Sequence, residues 1–108
     1  PGHIANVPLP AGTKGSEFRT AIEAQWLPEI DRFAPQLIFV SAGFDAHAGD
    51  PLAQLLLTVD DYTWITQRIL ELAEKHAAGR IVSSLEGGYA LDALAASACA
   101  HVQALARL

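Results

Sequence analysis

Two short apolar runs constrain this chain most: Leu37-Ile38-Phe39-Val40-Ser41-Ala42-Gly43 and Arg80-Ile81-Val82-Ser83-Ser84-Leu85, each followed by a loop and then a helix pattern. The first is apolar on both faces until its end, which suits a central parallel strand covered from both sides. Strand, helix, strand, helix is the recurring unit of a parallel sheet, so the expected fold class is α/β. At 108 residues there is room for one domain at most. With 51% of residues hydrophobic and 18% charged, the chain has enough apolar material for a core, which excludes a disordered tail.

Around these runs the pattern predicts the remaining elements. Residues 4–9 read as an edge strand or a crossing segment, because Pro8 and Pro10 limit its hydrogen bonding. From Ser16, an expected N-cap, apolar residues at Phe18, Ile22, Trp26, Ile30 and Phe33 stack on one helical face, and Pro28 predicts a kink or a helix restart. Thr58-Val59-Asp60-Asp61 resembles a capping box with Asp in place of Glu. It opens a helix carrying Tyr62, Ile65, Ile69, Leu72, Ala73 and His76 on one side, with Gly79 placed to end it. Glu86-Gly87-Gly88-Tyr89 reads as a turn, followed by an alanine-rich helix from Leu91 to Leu105 with Leu91, Leu94, Ala98, Val102 and Leu105 inward.

Charge and cysteine usage narrow the function classes. The net charge is −5 and the seven Lys and Arg are scattered, so there is no basic footprint for nucleic acid or an anionic membrane. No apolar run approaches the roughly 20 residues that span a bilayer. Cys99, the one cysteine, excludes an intrachain disulfide and a Cys-based zinc finger, reads as a small core residue, and fits a reducing cytoplasm. The chain has no methionine and its first residue is Pro1, so it is expected to be a processed form or a piece of a longer protein.

Parallel strands joined by right-handed crossovers point the same way, so the segments after the strands emerge at one shared edge, where open α/β sheets bind ligands. Those segments are Phe44-Asp45-Ala46-His47-Ala48-Gly49-Asp50-Pro51-Leu52 and Glu86-Gly87-Gly88-Tyr89. Asp45, directly after a buried strand, suits a metal ligand, or equally a carboxylate bonding the backbone of its own turn. Asp45-Ala46-His47 offers two donors, yet a zinc site needs three or four, and His3, His76 and His101 have no evident route to this rim. Tyr89 beside Gly87-Gly88 suits a donor to a developing oxyanion, or an ordinary half-buried aromatic. The Gly87-Gly88 pair also admits an anion at the following helix N-terminus, although Glu86 opposes it and the G-x-G-x-x-G spacing is absent. Asp50-Pro51 reads as a turn with Asp50 fixing the loop, and His76 and His101 as packing or surface residues on helices.

These two segments together resemble the C-terminal part of the zinc-dependent histone deacetylase superfamily, which includes acetylpolyamine amidohydrolases and acetoin-utilisation proteins. The wording is nearest to its class II-like and bacterial members. Asn6-Val7-Pro8-Leu9 and Phe33-Ala34-Pro35 extend the likeness over nearly the whole chain. The resemblance implies the three-layer arginase-like α/β fold with a central parallel sheet, of which residues 1–108 would be the C-terminal part. It implies that Asp45 is one aspartate ligand of a catalytic Zn2+ and that Tyr89 polarises the scissile acetamide carbonyl. Gly87 and Gly88 would border the substrate, and His47 matches no ligand. Leu52 matches a pocket position that is acidic in a polyamine-preferring branch, so leucine points to acetylated lysine or another neutral-chain amide. The other ligands and a tandem-histidine acid/base pair are expected upstream of Pro1, and this sequence holds no His-His step. The 108 residues alone are therefore expected neither to hold zinc tightly nor to deacetylate. Severing the sheet would expose an edge prone to self-association. A second reading is a non-catalytic binding or subunit-pairing module using Gly87-Gly88 for an anion.

Overall fold

A computed structural model describes residues 4–50 and 54–107. The elements run α1 (Gly15–Ala21), a π-helical turn (Ile22–Trp26), α2 (Leu27–Phe33), β1 (Ile38–Gly43), α3 (Val59–His76), β2 (Ile81–Gly87) and α4 (Leu91–Leu105). β1 and β2 pair in parallel, from Ile38 opposite Ile81 to Ala42 opposite Leu85. The register then slips so that Gly43 meets Gly87, leaving Glu86 as an extra residue. Such a bulge bends the strand where it leaves the sheet.

The predicted capping box holds. Asp61 Oδ2 accepts from the Thr58 N–H at 2.9 Å and from the Thr58 hydroxyl at 3.1 Å, and its other oxygen accepts from Arg19 Nε at 2.9 Å. One buried carboxylate thus starts α3 and ties α1 to it. Gly15 lies so close to this carboxylate that a Cβ there would collide with it. At the far end of α3, Gly79 has φ +77° and its N–H returns to the Ala73 carbonyl at 2.9 Å, as a helix terminator should. Lys75 and His76 both bond Asp31 Oδ1, at 2.8 and 2.7 Å, joining α2 to α3. His76 is structural, as its helical spacing suggests.

Four expectations are corrected. Residues 4–9 form no strand, and Ala5 instead accepts the Trp26 indole N–H at 3.0 Å. The cap of α1 is Lys14, whose N–H donates to Glu17 Oε1 at 3.3 Å, not Ser16. The restart expected at Pro28 is present, preceded by a π-helical turn. Leu27 N–H bonds the Ile22 carbonyl five residues back, and Pro28, lacking an N–H, sits within the first two positions of the restarted α2. Finally, α4 is rotated from the predicted face: Leu94 and Ala98 do pack against the core, but the buried residues are Ser97, Ala100, His101 and Ala104, and Leu91 and Val102 are 78% and 59% exposed. Small residues allow α3 and α4 to pack closely, so the larger apolar side chains lie to one side. The same rotation puts Cys99 on the surface rather than in the core.

His101 explains that rotation. Its Nδ1 lies 2.8 Å from Thr66 Oγ1 on α3, and its Nε2 lies 2.8 Å from Ser83 Oγ on β2. Thr66 donates its hydroxyl proton to the Tyr62 carbonyl at 2.7 Å, so Nδ1 must carry the imidazole proton and Nε2 accepts from Ser83. The ring also meets Phe44 edge-on at 5.7 Å. A neutral imidazole therefore links two helices and a strand, and burial pushes its pKa below the usual 6.5. Because the unfolded chain takes up the proton first, this contribution to stability is present above pH 6.5 and is lost as pH falls toward the lowered folded value. Histidine-selective NMR titration of the full-length protein should give His101 a midpoint below 6.5; a midpoint at or above it contradicts the buried neutral network.

The core lies on one side of the sheet: Ala42, Phe44, Leu57 and Tyr62, with Phe18, Val40, Ala46, Leu94 and Ala98 packed around them. The opposite face is open, with Phe39 72% exposed beside its partner Val82. A parallel pair normally has both faces covered. The accessible surface is 6607 Å2, against about 5,800 Å2 for a closed single-chain protein of this mass.

Candidate active-site rim

The segments leaving β1 and β2 do meet. Phe44 N–H donates to the Gly87 carbonyl at 2.9 Å, which continues the strand pairing one residue beyond β1 and sets Asp45 beside the end of β2. The Asp45 carboxylate lies against two glycines: a Cβ on Gly43 would come within 3.3 Å of it, and one on Gly87 within 3.5 Å. Glycine at these two positions leaves space around a charged side chain that is only half-buried. Beneath it lies Tyr62, whose hydroxyl sits under Ala46 and His47 and makes no well-formed hydrogen bond among the described residues. Burial first, and then the nearby Asp45 carboxylate, push that phenol well above its ordinary pKa. Tyr62 also packs edge-on against Phe44 at 5.1 Å.

The loop after Asp45 is held by its own backbone. Ala48 N–H donates to Leu57 at 2.8 Å, Leu57 N–H to Ala46 at 3.1 Å, and Asp50 N–H to His47 at 2.9 Å. His47 Nδ1 accepts the Gly49 N–H at 2.9 Å, so its ring serves the turn. Across the rim, Asp50 Oδ2 accepts the N–H groups of Tyr89 and Ala90 at 2.7 and 3.1 Å. Asp50 therefore does more than fix its own turn, a role invisible in a Gly-Asp-Pro sequence because its partners lie about forty residues away. Gly88 has φ +132°, and a Cβ there would lie 2.8 Å from Leu94 Cδ1 and 3.3 Å from Phe44 Cβ, so any side chain would incur backbone strain of about 1–3 kcal/mol plus a clash. Tyr89 itself is 62% exposed, its phenol free of the core.

Asp45, Gly87, Gly88 and Tyr89 thus share one rim, as the two segments suggest, and Leu52 lies outside the described residues. Among the described residues no three His, Cys, Asp or Glu side chains gather as a metal site. Two N–H groups of the turn after Gly87-Gly88, those of Tyr89 and Ala90, already face the Asp50 carboxylate, which opposes an anion there. A hollow between α3 and α4, lined by Gln67, Arg68, Glu71 and Arg107, holds none of the rim residues.

Fold and rim together define an α/β domain with polar chemistry gathered at the carboxyl ends of parallel strands. Comparison with known proteins makes that class specific. The histone deacetylase domain model matches residues 1–105, and the chain belongs to that family. It is 42% identical over 104 residues to histone deacetylase 14, chloroplastic, of Arabidopsis thaliana, covering 96% of this chain and 25% of that protein. It is 44% identical over 88 residues to a histone deacetylase-like amidohydrolase of Pseudomonas aeruginosa, covering 82% and 23%. The solved structure of the histone deacetylase Clr3 superposes with a TM-score of 0.89 at 38% identity, over 99% of this chain and 18% of that one. The chain therefore spans about a quarter of the length of these two relatives. No helix among the described residues is long and apolar enough to cross a membrane.

Proposed function

We propose that residues 1–108 form the C-terminal part of a single zinc-dependent amidohydrolase domain that removes acetyl or other acyl groups from lysine side chains or related amines. The observation that carries this reading is the meeting of Asp45 with the Gly87-Gly88-Tyr89 turn at one sheet edge, in a chain of the histone deacetylase family. Asp45 fits a metal: it is a carboxylate at the end of a paired strand, in a cradle that a Cβ on Gly43 would crowd. Asp45 would hold Zn2+ with ligands from outside the described residues. When bound, zinc supplies Lewis acidity toward an amide carbonyl and toward water. Tyr89 donates its phenol hydrogen to the carbonyl oxygen as negative charge develops there. Gly87 and Gly88 border the acyl chain without side chains, and the family's pocket position that Leu52 matches carries a neutral residue here. The bare Phe39 and Val82 face packs on the remainder of the domain, and where that remainder is missing the sheet self-associates. Neither nucleic acid nor membrane is a partner in this reading, and exposed, unpaired Cys99 suits a reducing compartment such as the cytoplasm.

The test is acetate release by the full-length, zinc-loaded protein from an acetyl-lysine peptide and from an acetylated polyamine. The peptide is expected to have the higher kcat/KM, by about tenfold or more, because a neutral residue at that position gives no attraction to a second ammonium group. Release from neither substrate would overturn the proposal. A polyamine preference would overturn the assignment of Leu52.

A further inference from the structure

The Asp50 side chain is a buried polar group that the proposed chemistry does not use. It is 2% exposed, and the same oxygen, Oδ2, accepts from two successive backbone N–H groups, those of Tyr89 and Ala90. Its own backbone is anchored to His47, in a loop pinned through Ala48 and Leu57. The acceptor is therefore well placed and well fixed.

We infer that Asp50 is a positioning residue for Tyr89, holding the backbone from which the phenol extends so that its hydroxyl reaches the substrate carbonyl. The inference rests on the proposed role of Tyr89. The turn is fixed from two sides. Gly88 is seated against Leu94 and Phe44 below, and Asp50 holds the next two N–H groups from across the rim. The Tyr89 side chain is mostly exposed, so the direction of its Cα–Cβ bond, which the backbone sets, decides where the hydroxyl can go. Releasing the backbone lets the phenol wander by an ångström or more, and misplacement of that size costs up to about 10²-fold in rate.

A double-mutant cycle in the full-length, zinc-loaded enzyme, assayed on an acetyl-lysine peptide, tests this. Asp50→Ala is expected to lower kcat by about tenfold or more, with KM within about twofold and zinc content unchanged. Asp50→Asn is expected to retain most of kcat, because its amide oxygen can accept both N–H groups in place of Oδ2. In a Tyr89→Phe background, Asp50→Ala is expected to cost less than about twofold, since the group it positions is already gone. If Asp50→Ala does not yield folded protein, Asp50→Ser, which is too short to reach both N–H groups, replaces it in the cycle. An unchanged kcat in Asp50→Ala, or an equal loss in both backgrounds, overturns the inference. If Tyr89→Phe itself keeps full kcat, the role of Tyr89 fails first. If Tyr89→Phe is crippled and Asp50→Ala is not, only the role of Asp50 fails.

Discussion

Tyr89→Phe in the full-length protein is expected to lower kcat for acetyl-lysine hydrolysis by about 10²–10³-fold, the usual cost of removing one donor to a developing oxyanion. The substitution deletes a single oxygen from a residue that is 62% exposed, so folding should be unaffected. KM should change little, because the lost hydrogen bond strengthens only as charge builds on the carbonyl oxygen. Bound zinc should remain, since the phenol is not expected to hold it. Steady-state kinetics with parallel metal analysis checks all of these. A loss confined to KM would make Tyr89 a binding contact instead of an oxyanion donor.

Asp45→Ala is expected to weaken zinc binding by more than about a hundredfold, because partners that merely orient ligands already cost about 10–100-fold when removed. Activity should fall with metal occupancy and recover only in part at high zinc. The fold should survive, since Asp45 is half-buried and the neighbouring backbone bond from Phe44 to Gly87 does not involve its side chain. Dialysis against a competing chelator, with metal analysis afterwards, measures the effect. Unchanged metal retention would return Asp45 to the simpler role of bonding its own turn.

The sequence discloses those features of this fold that depend on neighbours along the chain. The Thr58–Asp61 capping box, the Gly79 terminator and the two strands come from local spacing and backbone chemistry, and each is present. Features set by distant partners are illegible in it. The phase of α4 obeys His101, which needs Thr66 and Ser83 on two other elements, so a count of leucines and alanines along the helix places Leu94 and Ala98 correctly but misplaces Leu91 and Val102. The restart at Pro28 is legible, but no single residue marks the π-helical turn before it, in which Leu27 N–H bonds the Ile22 carbonyl. At the rim, Asp45 and Tyr89 stand out because each comes after a strand beside glycine. Asp50 does not, because nothing in Gly49-Asp50-Pro51 says that its carboxylate faces a turn on the other strand. Tyr62 belongs by its spacing to the inner face of α3, yet its position under Asp45 depends on how the loop after β1 folds back.

The most direct test is one parallel measurement on the full-length wild type, Asp45→Ala and Tyr89→Phe: zinc per chain and kcat on an acetyl-lysine peptide. If Asp45 holds the metal and Tyr89 the oxyanion, Asp45→Ala loses both zinc and turnover, while Tyr89→Phe keeps its zinc and loses turnover. Full zinc and wild-type turnover in both variants would contradict those roles.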